Sequence, residues 1–169
     1  MRKIPICKIC AKTGVLCANC NEKLEYGEVT QLDIDISNEL MKLEKDFKAL
    51  SDINFYKAYD VGHLIVLEVG KGDIASIIGP RGKIIKTLQD KFKKTFRVIE
   101  KTNNVKKILE DLIAPARAIG INRIFLPTGE VESKARIYKA DQKKMPAPPE
   151  VLEDLISNLI NERIRITFE

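Results

Sequence analysis

Four cysteines, Cys7, Cys10, Cys17 and Cys20, have a type and spacing that point to metal chemistry. They form two Cys-x-x-Cys pairs separated by the six residues Ala11 to Leu16. Each pair can place two thiolates on one ion, and four thiolates make a closed tetrahedral site suited to one structural Zn2+. The short spacer implies a compact pair of knuckles turning around Gly14. A closed site leaves no position for a substrate, so its metal would fold the segment and not catalyse. Iron ligation and a pair of disulfides are the alternatives. Met1 to Pro5 carries no apolar export signal, which favours a reducing, cytoplasmic setting over disulfides.

A second stretch carries charge, Gly79-Pro80-Arg81-Gly82 followed by Lys83. Glycines at both ends allow positive φ and a close approach of the backbone to a ligand. Ile84, Ile85, Leu88 and Phe92 then recur at three- and four-residue intervals, the signature of a helix. The turn therefore delivers a helix N-terminus, whose unpaired N–H groups and partial positive charge favour a phosphate. Arg81, Lys83 and Lys86 add full charges there. No Ser/His/Asp set, HExxH motif or P-loop is present, and His63 is the single histidine, so the chain does not read as an enzyme.

The elements that must position these residues are legible in the hydrophobic pattern. Val29, Leu32, Ile36, Leu40, Leu43, Phe47 and Leu50 follow helical spacing for about six turns. Ile53 to Tyr59 alternates, Asp60-Val61-Gly62 turns the chain, and Leu64 to Val69 is an apolar strand. A short helix around Ile74, Ile77 and Ile78 precedes the glycine turn, and Phe96 to Ile99 is a strand after the second helix.

Helix, strand, strand, helix, GxxG, helix, strand, with isoleucine pairs on both sides of a basic turn, resembles a type II KH domain. Together with the four-cysteine element, the chain is similar to the small archaeal zinc-ribbon KH proteins described as NusA-like. The resemblance covers residues 7 to 20 and about 53 to 101. It implies single-stranded RNA binding, with Gly79, Pro80, Arg81 and Gly82 as the loop that clamps the strand's backbone. Ile74, Ile78, Ile85 and Val98 would line the apolar groove that receives bases. The implied setting is transcription elongation or termination at RNA polymerase; association with a ribosomal subunit, as a component or assembly factor, is the alternative.

Charge placement fits an anionic polymer. Of 29 Lys and Arg residues, ten lie between Arg81 and Lys107, with only two of the 24 acidic residues. No run of apolar residues approaches the ~18 needed for a membrane span.

From Asn103 or Asn104, either of which can cap a helix, the pattern reads helix (Val105 to Ile113), strand (Ile121 to Leu126), strand (Val131 to Ile137), loop, helix opened by Pro148 or Pro149, and strand (Arg163 to Phe168). This is close to the preceding order without the glycine pair, which suggests a second, degenerate KH-like fold, with a generic α+β domain as the alternative. The expected architecture is thus α+β: residues 1–28 as the cysteine element, 29–102 as the KH domain and 103–169 as its degenerate partner.

Overall fold

The computed structural model describes all residues, Met1–Glu169, and divides into two compact units, Met1–Lys101 and Thr102–Glu169. The protein is α+β, with one three-stranded sheet in each unit.

The first unit opens with two short helices, α1 (Lys8–Thr13) and α2 (Ala18–Glu25). The segment expected as a compact pair of knuckles is therefore helical, with each cysteine pair at a helix start. Ile6, Cys10, Ala11 and Cys20 share one core with α3 (Gln31–Leu43). That helix begins in a capping box, the Thr30 hydroxyl accepting from the Asp33 amide and the Asp33 carboxylate accepting from the Thr30 amide. The helical periodicity runs on to Leu50, yet α3 stops at Leu43, and a 3-10 turn over Lys48–Asp52 follows. This turn still seats Leu50 in the core, which is why its spacing resembles a continued helix.

Strands β1 (Phe55–Asp60), β2 (Leu64–Val69) and β3 (Thr95–Glu100) form the sheet in that order. β1 is antiparallel to β2, and β3 runs parallel to it. A parallel neighbour needs a crossover. Here the crossover is α4 (Ile74–Ile78), the glycine turn, and α5 (Lys83–Phe92). Phe55, Ile65, Leu67, Val69, Phe96 and Val98 of the sheet share the core with Ile77, Ile84 and Leu88 of the two helices.

The second unit is built from α6 (Val105–Ile113), β4 (Ala118–Phe125), β5 (Val131–Ile137), α7 (Pro149–Ile160) and β6 (Arg163–Phe168). Its sheet order is β4-β5-β6, with β4 antiparallel and β6 parallel to β5, the same senses as in the first unit. The correspondence holds residue by residue. Both antiparallel ladders shift register after their first residue, at Phe55/Lys57 and at Ala118/Gly120. The crossover helices α5 and α7 both end on a left-handed residue, Lys93 and Asn161, two residues before the parallel strand. Each unit also ties its crossover to the residue before its first strand through a carboxylate four residues past the central strand. Asp73 accepts from the Asn54 amide at 2.9 Å, and Asp141 accepts from the Arg117 amide at 3.0 Å. Where the first unit has α4 and the glycine turn, the second has a 3-10 turn over Lys139–Lys144.

Candidate metal centre and glycine-turn site

Cys7 and Cys17 stand at the N-caps of α1 and α2, and Cys10 and Cys20 lie one turn inside. The four Sγ atoms lie within 4.8 Å of one another. A tetrahedral Zn–S bond of about 2.3 Å requires sulfurs about 3.8 Å apart, so the cluster has the dimensions of a metal site. The shortest assigned pair, Cys7 to Cys10, is 3.2 Å apart, and all four cysteines are free thiols, not disulfides.

The amides around the cluster close a ring. Cys7 N–H donates to Cys20 Sγ at 3.3 Å, and Cys20 N–H donates to Cys17 Sγ at 3.4 Å. Cys17 N–H donates to Cys10 Sγ at 3.1 Å, and Cys10 N–H donates to Cys7 Sγ at 3.5 Å. Every cysteine thus gives one N–H and receives one. Such donation stabilises thiolates and orients them as ligands. The Cys10 amide lowers the Cys7 thiol, and the Cys20 amide brings Cys17 down to about 7. The Cys17 amide also pulls on Cys10, but the neighbouring Cys7 sulfur and burial outweigh it and push Cys10 up to about 12. Burial raises Cys20. Four thiolates at this spacing repel, and a bound cation supplies the charge that lets all four ionise. The amide ring was not anticipated from sequence. Its signal was the exact ten-residue repeat of the two pairs, which gives both the same place on successive helices.

The second site is the turn between α4 and α5. Gly79 has φ 79° and ψ 174°, Arg81 φ 55° and Gly82 φ 71°. Gly79 is required twice over, since a Cβ there would lie 2.7 Å from Cγ1 of Ile84. Ile84 is fully buried, so the turn rests directly on the core. α5 starts with no side-chain cap; its first amide, Lys83 N–H, donates to the Pro80 carbonyl, which leaves the Ile84 and Ile85 amides of the first turn without an intrahelical acceptor. Pro80, Arg81, Lys83 and Lys86 are exposed, and none of the three cations has an ion-pair partner. Ile74, Ile78 and Ile85 are half-buried and pack against the core beneath the turn. Val98 is buried at 6% exposure, on the core face of β3, and has no surface to offer a ligand.

The structure thus gathers Gly79 to Lys83, Lys86, Ile74, Ile78 and Ile85 at one crossover and sets Val98 inside. Asp73 stands at the N-cap of α4 without a side-chain capping bond, and its carboxylate instead accepts from the Asn54 amide.

No protein-family model matches this chain, and no curated protein matches its sequence. Among solved structures, the crystal structure of APE1850 shares the fold, with a TM-score of 0.53 at 16% identity. The match covers 76% of this chain and 96% of that one. No helix of the protein is long and apolar enough to cross a membrane.

Proposed function

We propose that the protein binds single-stranded RNA through a type II KH domain in the first unit, is NusA-like, and holds one structural Zn2+ on its four cysteines. The observation that carries this reading is the glycine turn: two positive-φ glycines, an uncapped helix start and three unpaired cations on one exposed corner. The Ile84 and Ile85 amides in the first turn of α5 would donate to backbone phosphates while Arg81, Lys83 and Lys86 neutralise them. Ile74, Ile78 and Ile85 would give the bases an aliphatic surface. The second unit, with the same sheet but no glycine pair, is a degenerate KH fold that leaves phosphate clamping by this loop to the first.

Pro80→Asp combined with Arg81→Asp tests the reading. Both positions are exposed, so the far-ultraviolet circular dichroism spectrum should be unchanged. Replacing a cation with two carboxylates at the clamp should weaken filter-bound single-stranded RNA at least tenfold, with a shallower salt dependence. Equal affinity in wild type and variant would overturn the assignment.

A further inference from the structure

The second unit holds a cavity of about 510 Å3 at the start of α6. Its lining includes Val105 and Lys106 of the helix, Ile121 and Arg123 of β4, and Ser133 of β5, and contains no carboxylate. Ser133 is fully buried and its Oγ has no hydrogen-bond partner. A buried hydroxyl without a partner is costly unless something fills the space beside it.

The first unit shows what fills the corresponding place. Strand pairing equates Ser133 with Ile65 and Ile121 with Ala58. In the first unit Ile65 is an apolar core residue, and Asp33, the third residue of α3, sends a carboxylate oxygen to the Ala58 amide at 2.7 Å. The protein thus supplies its own anion between helix start and strand. The third residue of α6 is Lys107, which pairs with Asp111 at 2.7 Å. The first turn of α6 thus carries no carboxylate, and a hydroxyl replaces the isoleucine.

The donors remaining around the cavity suit an oxyanion. Asn104 Oδ1 accepts from the Lys106 and Lys107 amides at 3.0 and 3.3 Å, which leaves the Val105 N–H without an intrahelical acceptor. Lys106 has only a 4.0 Å contact with Glu110, whereas Arg123 is held by Glu162 at 2.7 and 2.9 Å. We propose that this cavity binds a phosphate ester, with the Val105 amide, the Lys106 ammonium and the Ser133 hydroxyl as donors. The site belongs to the second unit, uses none of the residues of the glycine turn and does not depend on it. A mononucleotide and an RNA phosphate share the required chemistry.

The test is an amide NMR titration of the full chain with inorganic phosphate, AMP and, as a control, adenosine. Phosphate and AMP should give saturable shifts at Val105, Lys106 and Ser133, and adenosine none. Ser133→Ala and Lys106→Glu should each weaken AMP roughly tenfold, the loss expected for a hydrogen bond to a charged group. Ser133→Ala removes an unpaired group, so its melting temperature should hold or rise. Repeating the titration with a short RNA in the Pro80→Asp/Arg81→Asp background identifies the source. The same shifts there assign RNA phosphate, and shifts with AMP alone assign a free nucleotide. No saturable shift with phosphate or AMP, equal shifts with adenosine, or shifts that survive both substitutions would overturn the site.

Discussion

Gly79→Ala is the most informative single change at the glycine turn, because its cost can be worked from two separate sources. The backbone at φ 79° and ψ 174° is a region essentially reserved for glycine, and an L-residue there costs about 1–3 kcal/mol. The new methyl would also lie 2.7 and 2.8 Å from Cγ1 and Cδ1 of Ile84. Ile84 is fully buried, so it can yield only by leaving its rotamer or lifting α5, an overpacking cost of about 1–3 kcal/mol. The stiffer unfolded chain returns roughly 0.4–1 kcal/mol. The net is about 1–5.5 kcal/mol, centred near 3. Gly82→Ala is the matched control. Its φ of 71° and ψ of 19° fall in the left-handed helical region, at about 1–2 kcal/mol, and the nearest atom to its Cβ is 3.8 Å away. After the same unfolded-state correction its cost is about 0–1.5 kcal/mol. Urea titration followed by circular dichroism separates the two, since the chain has no tryptophan. With a urea slope of about 1–3 kcal/mol/M, Gly79→Ala should lower the first unit's midpoint by roughly 1 M or more beyond Gly82→Ala. Coincident midpoints would show that the turn does not rest on Ile84, and the anchoring argument would fail.

Two other outcomes follow from the geometry. Metal analysis of the purified chain should find one ion per chain, and chelation should cost helix signal equal to α1 and α2 while the amide resonances of the second unit stay in place; retention of the α1 and α2 signals after complete metal removal would contradict a folding role. In the second unit, the Lys144 ammonium, with the Arg117 amide and guanidinium, holds the Asp141 carboxyl below its ordinary value of 3.8. A depressed folded pKa gives stability that is complete above 3.8 and is lost as pH falls through the folded value, so acid should destabilise this unit and Asp141→Asn should flatten that response. An unaltered acid limb in the variant would sink the assignment.

Legibility from sequence followed the strength of local patterning. β2, α5, β3 and α6 were readable because a continuous apolar run or a clear helical stripe meets distinct turn residues, as at Asn104 before α6. α1 and α2 were hidden because six- and eight-residue helices carry too little periodicity, and their formation depends on sulfur ligands and on Ile6 and Ala11 reaching the core. The end of α3 was obscured by Leu50, which a 3-10 turn returns to the same core. At the glycine turn, residues 79 to 83 were recognisable by type. The inward placement of Val98 follows from its alternation with Phe96, since both point to the helices.

The two units share a frame in which the polar exceptions, not the core, distinguish their roles. Register shift, left-handed helix end and the Asp73 and Asp141 tethers recur at matching positions, so these features serve the sheet and its crossover in either setting. Against that constant background three places differ in chemistry. Arg81 between two glycines stands where the second unit has a 3-10 turn, the first turn of α6 has no acidic residue where α3 carries Asp33, and Ser133 stands where the first has Ile65. In the first unit the open cations sit on the crossover while the helix start is neutralised by Asp33. In the second unit the crossover carries no glycine turn, and the helix start is left with a cationic cavity and an unpaired hydroxyl. On the two proposals above, the frame would present an anion site at either of two corners, with the carboxylate at the head of the first helix and the residue at the Ile65/Ser133 position together deciding whether the helix-start corner is closed or open.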